Sequence, residues 1–537
     1  MKHKVYKKVV LIILDGFGVA SFSRGNAIAL ADPAVLNLLV SCFPATTLQA
    51  SGPLVGLPWG EMGNSEVGHL NIGAGRIVGQ DLPRITTAVQ TGDFFQNKAF
   101  LAACTHAKQY KSSLHIMGMV SNGGVHSLDE HMFALLGLAA DMGLGQVFIH
   151  MFTDGRDTVP KVALEELQKV RRKIAQIGVG KIATITGRFH AMDRGGHWDQ
   201  TENTYQAIVF GIGVEADSAE NGVLASYEQS VMDETIPPTV VTEVDSLTGS
   251  RSPVGRVQDN DAVILFNFRS DRVVQLIQAF VEPEKTPLAD KHKKLNNLFF
   301  VTMTEVQRGL PVHVAFPPQE LKNNLAEVLS KNSFTQFHIA ESEKYAHVTS
   351  FFNCGITELL PGEDRQIITS PSNSNNYMDQ PQMSAEKLTN VLIEKITTTD
   401  TNFFVANFAN SDIVAHTGNL DASVQAVKCL DRCIGRIFEK TLLVDAALLI
   451  TADHGNIEQM INLKTGDIDK DHTKNPVPFI LVANEFRLLS PLKRDYISLS
   501  SKIPEGAISD IAPTILDLFG LPKPPEMTAV NLFSLLR

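Results

Sequence analysis

Short apolar runs that stop abruptly at polar residues or glycine recur along this chain. Val9–Leu14 ends at Asp15-Gly16, Val147–Phe152 at Thr153-Asp154-Gly155, and Ala262–Phe268 at Arg269. Phe403–Phe408 precedes Asn410, Ala446–Ile450 precedes Asp453-His454-Gly455, and Phe479–Ala483 is a further run. Runs of this length and composition predict buried strands of a parallel sheet. Helical stripes lie between them. Leu164, Leu167, Val170, Ile174 and Ile177 follow Pro160 as a first helical residue, and Val424, Val427, Leu430, Ile434 and Ile437 make a second stripe. Pro513–Phe519, closed by Gly520, predicts a short helix. Strands alternating with helices mean α/β architecture with largely parallel sheets. A chain of 537 residues exceeds one core, so two large domains are expected. In such sheets ligands sit beyond the carboxyl ends of the strands, where these polar residues fall.

The formal net charge of −11 argues against a general nucleic-acid binder, which carries a basic surplus, yet leaves room for a local basic pocket. The five cysteines include no CxxC, and their odd number does not suit a disulfide framework. Cys429 and Cys433, four apart on a helical stripe, read as core thiols, and a reducing cytoplasm is expected. Lys2, Lys4, Lys7 and Lys8 before Val9–Leu14 imitate an export signal, but the apolar run is too short. No apolar stretch reaches the roughly 18 residues that span a bilayer, so no membrane partner is expected.

Four segments hold candidate metal ligands: Asp15; Asp412 with His416; Asp453 with His454; and His472. Carboxylate plus imidazole suits manganese, zinc or iron. One helical turn would bring Asp412 and His416 to the same face. Each element also has a plainer reading. Asp15-Gly16 reads as a turn, Asp412 as a helix cap, and His472 as an exposed histidine. Asp453-His454 at the end of a buried strand is harder to dismiss, because burying charge needs compensation.

Gly63-Asn64-Ser65-Glu66-Val67-Gly68-His69 sets a serine among glycines ahead of a helix, where backbone N–H groups can approach a phosphate. Ser65 is the candidate nucleophile; the plainer reading is a helix cap, only partly supported because Gly68 stands where a capping box wants Glu or Gln. Gly73, Gly75 and Gly79 miss the dinucleotide fingerprint by one residue, and no nucleotide cofactor is expected. A further cluster suits capture of carboxylate and phosphate: His126, Arg156, Asp157, Arg188, Arg194, Arg269 and Arg272, with Lys344 following. Taken singly, each arginine reads more readily as a surface ion-pair partner.

Together, Leu14-Asp15-Gly16-Phe17-Gly18, Met62 to Asn71, Thr153 to Thr158, Asn267-Phe268-Arg269, Glu343 to Thr349, Thr451 to Asn456 and His472-Thr473 resemble the cofactor-independent phosphoglycerate mutase family. That family belongs to the alkaline phosphatase superfamily, and the matches run in the family's order over essentially the whole chain. The resemblance implies one metal held by Asp412, His416 and His472, and a second by Asp15, Ser65, Asp453 and His454. The metals would be two divalent ions, manganese first, with magnesium or another ion as alternatives, and no 2,3-bisphosphoglycerate. It implies substrate contacts from His126, Arg156, Asp157, Arg188, Arg194, Arg269, Arg272 and Lys344.

The layout implied is a metal domain in two pieces, 1–79 and 308–537, interrupted by a phosphoglycerate-binding domain at 80–307. The hinges fall near Ile77–Leu82 and Thr302–Leu310. Two departures stand out: His190 replaces an aromatic, and Gly195-Gly196-His197 replaces a more charged stretch. The implied reaction interconverts 3- and 2-phosphoglycerate in glycolysis and gluconeogenesis, with the chain a monomer. Ser65 would carry the phosphoryl group, Asp157 would be general acid and then base, and Lys344, Arg269 and Arg272 would offset charge. The rivals are another phosphatase or phosphomutase of the superfamily, disfavoured by the arginine-rich insert, and an inactive binding protein, disfavoured because Ser65 and every metal ligand are present.

Overall fold

The computed structural model describes residues 4–244, 249–287, 289, 291, 294–371 and 377–534. The chain divides into two compact units, one of Met1–Gln80 with Glu320–Arg537 and one of Asp81–Gln319. In chain order the strands are β1 (Val9–Leu14), β2 (Ala45–Gln49), β3 (Leu114–Met119), β4 (Val147–Thr153), β5 (Lys181–Gly187), β6 (Val214–Ala216), β7 (Thr239–Val244), β8 (Arg251–Pro253) and β9 (Ala262–Leu265). They continue as β10 (Phe299–Thr304), β11 (His313–Phe316), β12 (Gln336–Glu341), β13 (Glu363–Ile368), β14 (Phe403–Phe408), β15 (Ala447–Thr451), β16 (Val477–Val482) and β17 (Gly506–Ala507).

The first unit is built on one sheet ordered β13-β12-β14-β1-β15-β16-β2-β17. β1 lies at its centre, parallel to β14 and β15, and all three strands are buried along their whole length. Burial on both faces explains why they read as unbroken apolar runs. Registers Leu14↔Phe408 and Ile13↔Thr451 bring three carboxyl ends level, so Asp15, Asp412 and Asp453 leave the sheet at one edge. β16 runs antiparallel to β15 and β2.

The second unit carries a sheet ordered β11-β10-β9-β3-β4-β5-β7-β6, with β8 paired to β7. It is parallel from β11 to β5 and turns antiparallel at β7. Ile116, Ile149 and Ile264 join one apolar cluster, while Met117, Phe152 and Val263 join another. Alternate residues of the same strands thus feed cores on opposite faces. The parallel pairing of β11 with β10 places the second junction beyond Thr302–Leu310.

Two local expectations shift. The run read through Phe268 ends as a strand at Leu265, because the Asn267 side chain turns back to accept from the Met119 N–H at 2.9 Å. The helix expected from Pro160 begins at Ala163: Asp233 Oδ2 accepts from the N–H groups of Val162 and Ala163 at 2.6 and 3.0 Å, a cap lent from 70 residues away.

That helix buries Glu166, whose two carboxyl oxygens have no hydrogen-bond partner among the described residues. Burial first, then the Asp233, Asp154 and Asp129 carboxylates, push its pKa up to about 8. An unfolded glutamate titrates near pH 4.3, so the raised value favours the fold below about pH 4.3, and that contribution is lost as pH rises towards 8. Glu166→Gln removes the titration. We expect it to gain stability over the parent between pH 5 and 8, by on the order of 2–4 kcal/mol at the upper end. Urea unfolding of both proteins at the two pH values measures this; parallel pH profiles would refute it.

Candidate functional site

The first unit gathers its polar residues at the carboxyl edge of β1, β14 and β15. Ser65 is the first residue of the helix Ser65–Ala74, and the preceding Asn64 is the actual cap, accepting from the Val67 N–H. The cap reading of Ser65 is thereby removed, and its hydroxyl is free for other work. Ser65 Oγ donates to Asp15 Oδ1 at 3.0 Å and lies 3.0 Å from His454 Nε2. Lys344 Nζ reaches Ser65 Oγ at 2.7 Å, Asp15 Oδ1 at 2.6 Å and Asp412 Oδ2 at 2.7 Å. Gly68 allows this helix its approach, since a Cβ there would stand 2.6 Å from the Asp453 Cβ. Gly16, at φ +68°, makes the turn after Asp15 directly against Asp412.

His416 and His472 complete the group. His416 Nδ1 donates to the Lys470 carbonyl and His472 Nδ1 to the Gly63 carbonyl, each at 2.8 Å. A carbonyl only accepts, so each Nδ1 proton is committed, and Nε2 is the atom each ring can turn inward as a ligand. The two Nε2 atoms lie 3.2 Å apart, and Asp412 Oδ1 is 3.2 Å from one and 3.4 Å from the other. Three lone-pair donors converging this closely are able to hold a cation, with the histidines oriented from behind as metal ligands commonly are. Asp412, His416 and His472 form one group able to hold a metal, and Asp15, Asp412 and His454 another; a third joins Asp15, His69 and Asp453.

The charge balance agrees. Asp15, Asp412 and Asp453 are all buried, against one buried lysine. Burial opposes ionisation of Asp412 and Asp453, but Lys344 and the neighbouring histidines hold both carboxyls well below the usual range. Burial likewise opposes a charge on Lys344, and Asp15, Asp412 and Asp453 overcome it and raise its pKa. Lys344 is therefore an ammonium and not a base. His454, against its burial, is raised to about 9 by Asp453, Asp15 and Asp412. A donor set of carboxylate and imidazole with surplus negative charge fits divalent cations.

Several supports carry no role that the sequence alone assigned. Asn407 Nδ2 donates to Asp15 Oδ2 at 2.7 Å, Asn456 Nδ2 to Asp412 Oδ1 at 2.9 Å, and the His69 ring lies 3.3 Å from Asp453. Buried Glu458 accepts from the N–H groups of Gly18 and Asn456 at 3.0 and 2.8 Å, and from Thr473 Oγ1 and Asn475 Nδ2. It ties together the three loops that carry Asp15, His454 and His472.

The second unit holds the arginines. Arg188 is buried, its Nη1 donating to Asp154 Oδ1 at 2.7 Å and Asp157 Oδ2 at 2.6 Å. Arg194 Nη1 meets Asp271 Oδ2 at 2.8 Å, Arg269 Nε meets Asp271 Oδ1 at 3.3 Å, and Arg156 meets Glu234 at 3.6 Å. His126 lies between Asp157 and Asp271, at 3.9 and 3.7 Å. Burial first, then Arg188, push its pKa down to about 4, so it is neutral at pH 7. Among the described residues Arg272 has no carboxylate within 4.0 Å, and burial and its neighbours Arg194 and Arg188 lower its pKa. Lys344 belongs to the first unit, beside Ser65. At the Gly195-Gly196-His197 departure the loop is closed by Asp193, which accepts from the Gly195 and His197 N–H groups at 3.1 and 2.8 Å. His190 is half-buried, packed edge-on to Phe189.

The family model "BPG-independent PGAM N-terminus (iPGM_N)" matches residues 85–308. A 2,3-bisphosphoglycerate-independent phosphoglycerate mutase of Clostridioides difficile (strain 630) is 46% identical over 530 residues, 98% of this chain and 99% of its own length. The chain belongs to the 2,3-bisphosphoglycerate-independent phosphoglycerate mutase family. A further such mutase, from Methanosarcina acetivorans, is 45% identical over 528 residues and 98% of each chain. A Leishmania mexicana phosphoglycerate mutase, crystallised at low cobalt concentration, superposes with a TM-score of 0.60 at 26% identity, covering 99% of this chain and 98% of that one. The family-specific model thus falls entirely within the arginine-bearing second unit. No described helix is long and apolar enough to cross a membrane.

Proposed function

We propose that this mutase interconverts 3-phosphoglycerate and 2-phosphoglycerate through a phosphoryl group carried on Ser65. The observation that carries the reading is the Ser65 hydroxyl, within 3.0 Å of Asp15, His454 and Lys344 at a helix N-terminus. Two divalent ions, manganese first by the family resemblance, would be held by Asp412, His416 and His472 and by Asp15, Ser65, Asp453 and His454. When bound they acidify the serine hydroxyl and offset charge on the phosphoryl oxygens.

Ser65 gives its proton to Asp15 as Oγ attacks phosphorus, and the Oγ–P bond forms as the bond from phosphorus to the 3-oxygen breaks. Lys344, a fixed ammonium 2.7 Å from Oγ, neutralises charge on the transferring group. Asp157 gives its proton to the departing 3-oxygen, then takes the proton of the 2-hydroxyl as that oxygen attacks phosphorus. Ser65 leaves and recovers its proton. Throughout, His126, Arg156, Arg188, Arg194, Arg269 and Arg272 keep glycerate bound and away from exchange with water. The chain is read as a monomer of the cytoplasm, where a reducing environment suits five free cysteines.

Turnover of 3-phosphoglycerate by the purified chain, without 2,3-bisphosphoglycerate, tests the reading; no turnover in the presence of Mn²⁺ overturns it. A second reading, phosphatase action, separates by the fate of the phosphoserine. Arg194→Ala should raise the ratio of inorganic phosphate to 2-phosphoglycerate while total turnover falls, because glycerate escapes and water takes its place. Arg194 suits this test better than Arg188, whose truncation leaves Asp154 and Asp157 without their shared cation at a cost of roughly 3–5 kcal/mol. An unchanged ratio would show that Arg194 does not retain glycerate.

A further inference from the structure

The arginine set contains an anion of its own. Asp271 lies between Arg269 and Arg272 in sequence, and its carboxylate faces three basic side chains: Arg194 Nη1 at 2.8 Å, Arg269 Nε at 3.3 Å and His126 Nδ1 at 3.7 Å. Despite those neighbours, Oδ1 makes no hydrogen bond that meets ordinary geometry, and His126 Nδ1 is also left without a partner among the described residues. A neighbouring acid behaves differently. Asp154 is fully buried and saturated, accepting from Ser121, Arg188 and the N–H groups of Arg156 and Asp157, so it is part of the framework. Asp271 is only partly covered and loosely held, with 31% of its side chain exposed against 56% for Arg194 and 53% for Arg269.

We propose that Asp271 is a built-in competitor for the substrate's anionic group, its carboxylate filling the Arg194–Arg269 fork until a carboxylate or phosphate displaces it. This rests on reading the arginines as the substrate's anion site. Two exposed arginines beside Arg272 repel one another, and an internal carboxylate holds them converged without a ligand. The same carboxylate opposes each arriving anion, so it sets affinity low enough for product to leave. Exposed ion pairs of this kind are worth up to about 1 kcal/mol each, so displacement is a modest barrier and not a block.

The test is anion affinity in the full chain. Sulfate and 3-phosphoglycerate are titrated by calorimetry into the parent, Asp271→Asn, Asp271→Ser and Asp271→Glu, with chelator present so that side chains alone bind. Both neutral variants should bind each anion about threefold to tenfold tighter. Asp271→Glu, which keeps the charge, should match the parent. In the Mn²⁺-supplemented enzyme the neutral variants should lower KM for 3-phosphoglycerate without raising kcat. Equal or weaker anion binding by both neutral variants overturns the proposal, since it would make Asp271 a support of the arginines alone. The sulfate comparison is independent of turnover, so a failure of the mutase reading would show separately.

Discussion

Ser65→Ala should yield a folded protein whose turnover of 3-phosphoglycerate falls by about 10⁴-fold or more, because no other hydroxyl stands in its place to take the phosphoryl group. The substitution removes one oxygen from a buried cluster and little else. Lys344 keeps Asp15 and Asp412, and His454 keeps its contact with the Gly455 carbonyl. The stability cost should therefore be about 1–3 kcal/mol, that of one buried hydrogen-bonding group. Circular dichroism and thermal melting check the fold, and coupled assay checks the rate. Quenching the parent enzyme during turnover should place phosphate on Ser65 by peptide mass spectrometry. Phosphate on a histidine, or a variant retaining a tenth of parental activity, would overturn the assignment.

Stripping divalent ions should abolish activity reversibly and soften the first unit. Three buried carboxylates face a single lysine there, and the His416 and His472 lone pairs converge on Asp412. An ion that binds only the folded state stabilises it by about 2.7 kcal/mol at a hundredfold excess over Kd, or a rise in Tm on the order of 5 °C. Melting in chelator, then with Mn²⁺, Mg²⁺ or Co²⁺ restored, should show that rise with activity returning alongside it. Lys344→Met should lower kcat by about 10²–10³-fold through lost charge neutralisation, while leaving the His416–His472 ligand group intact. An unchanged Tm in chelator and full activity of the stripped protein would dismiss the metals.

How far the chain could be read without coordinates depended on how local each cause was. Val9–Leu14, Val147–Thr153 and Phe403–Phe408 announce themselves, since a strand covered on both faces must be apolar throughout and must stop where it meets water or a ligand. The helix Leu420–Leu443 shows its buried stripe for the same reason. Pro160 misled because the helix start is governed by Asp233, whose contact no local pattern encodes. Lys344 looked like one more cation of the arginine set; only the fold shows that the turn after β12 carries it to the end of β1. Asn407, Asn456 and Glu458 passed unnoticed because an amide or carboxylate that braces a ligand has no spacing rule of its own. Asp271 stands between two arginines in Arg269-Ser270-Asp271-Arg272, yet no local pattern shows that its carboxylate turns to Arg194, 77 residues back.

The central position of β1 has a cost during synthesis. Its neighbours β14 and β15 leave the ribosome about 390 and 440 residues later, roughly 20–90 s at about 5–20 residues per second. The second unit is one continuous stretch of chain and can complete itself within that interval. Val-Val-Leu-Ile-Ile-Leu meanwhile has no strand to pair with, and it has the composition of a self-associating segment. Lys7 and Lys8, immediately before it, are the charged gatekeepers nearest to hand. Yield in the cell therefore depends on how well that hexapeptide is shielded by holdase chaperones until the last third of the message has been read.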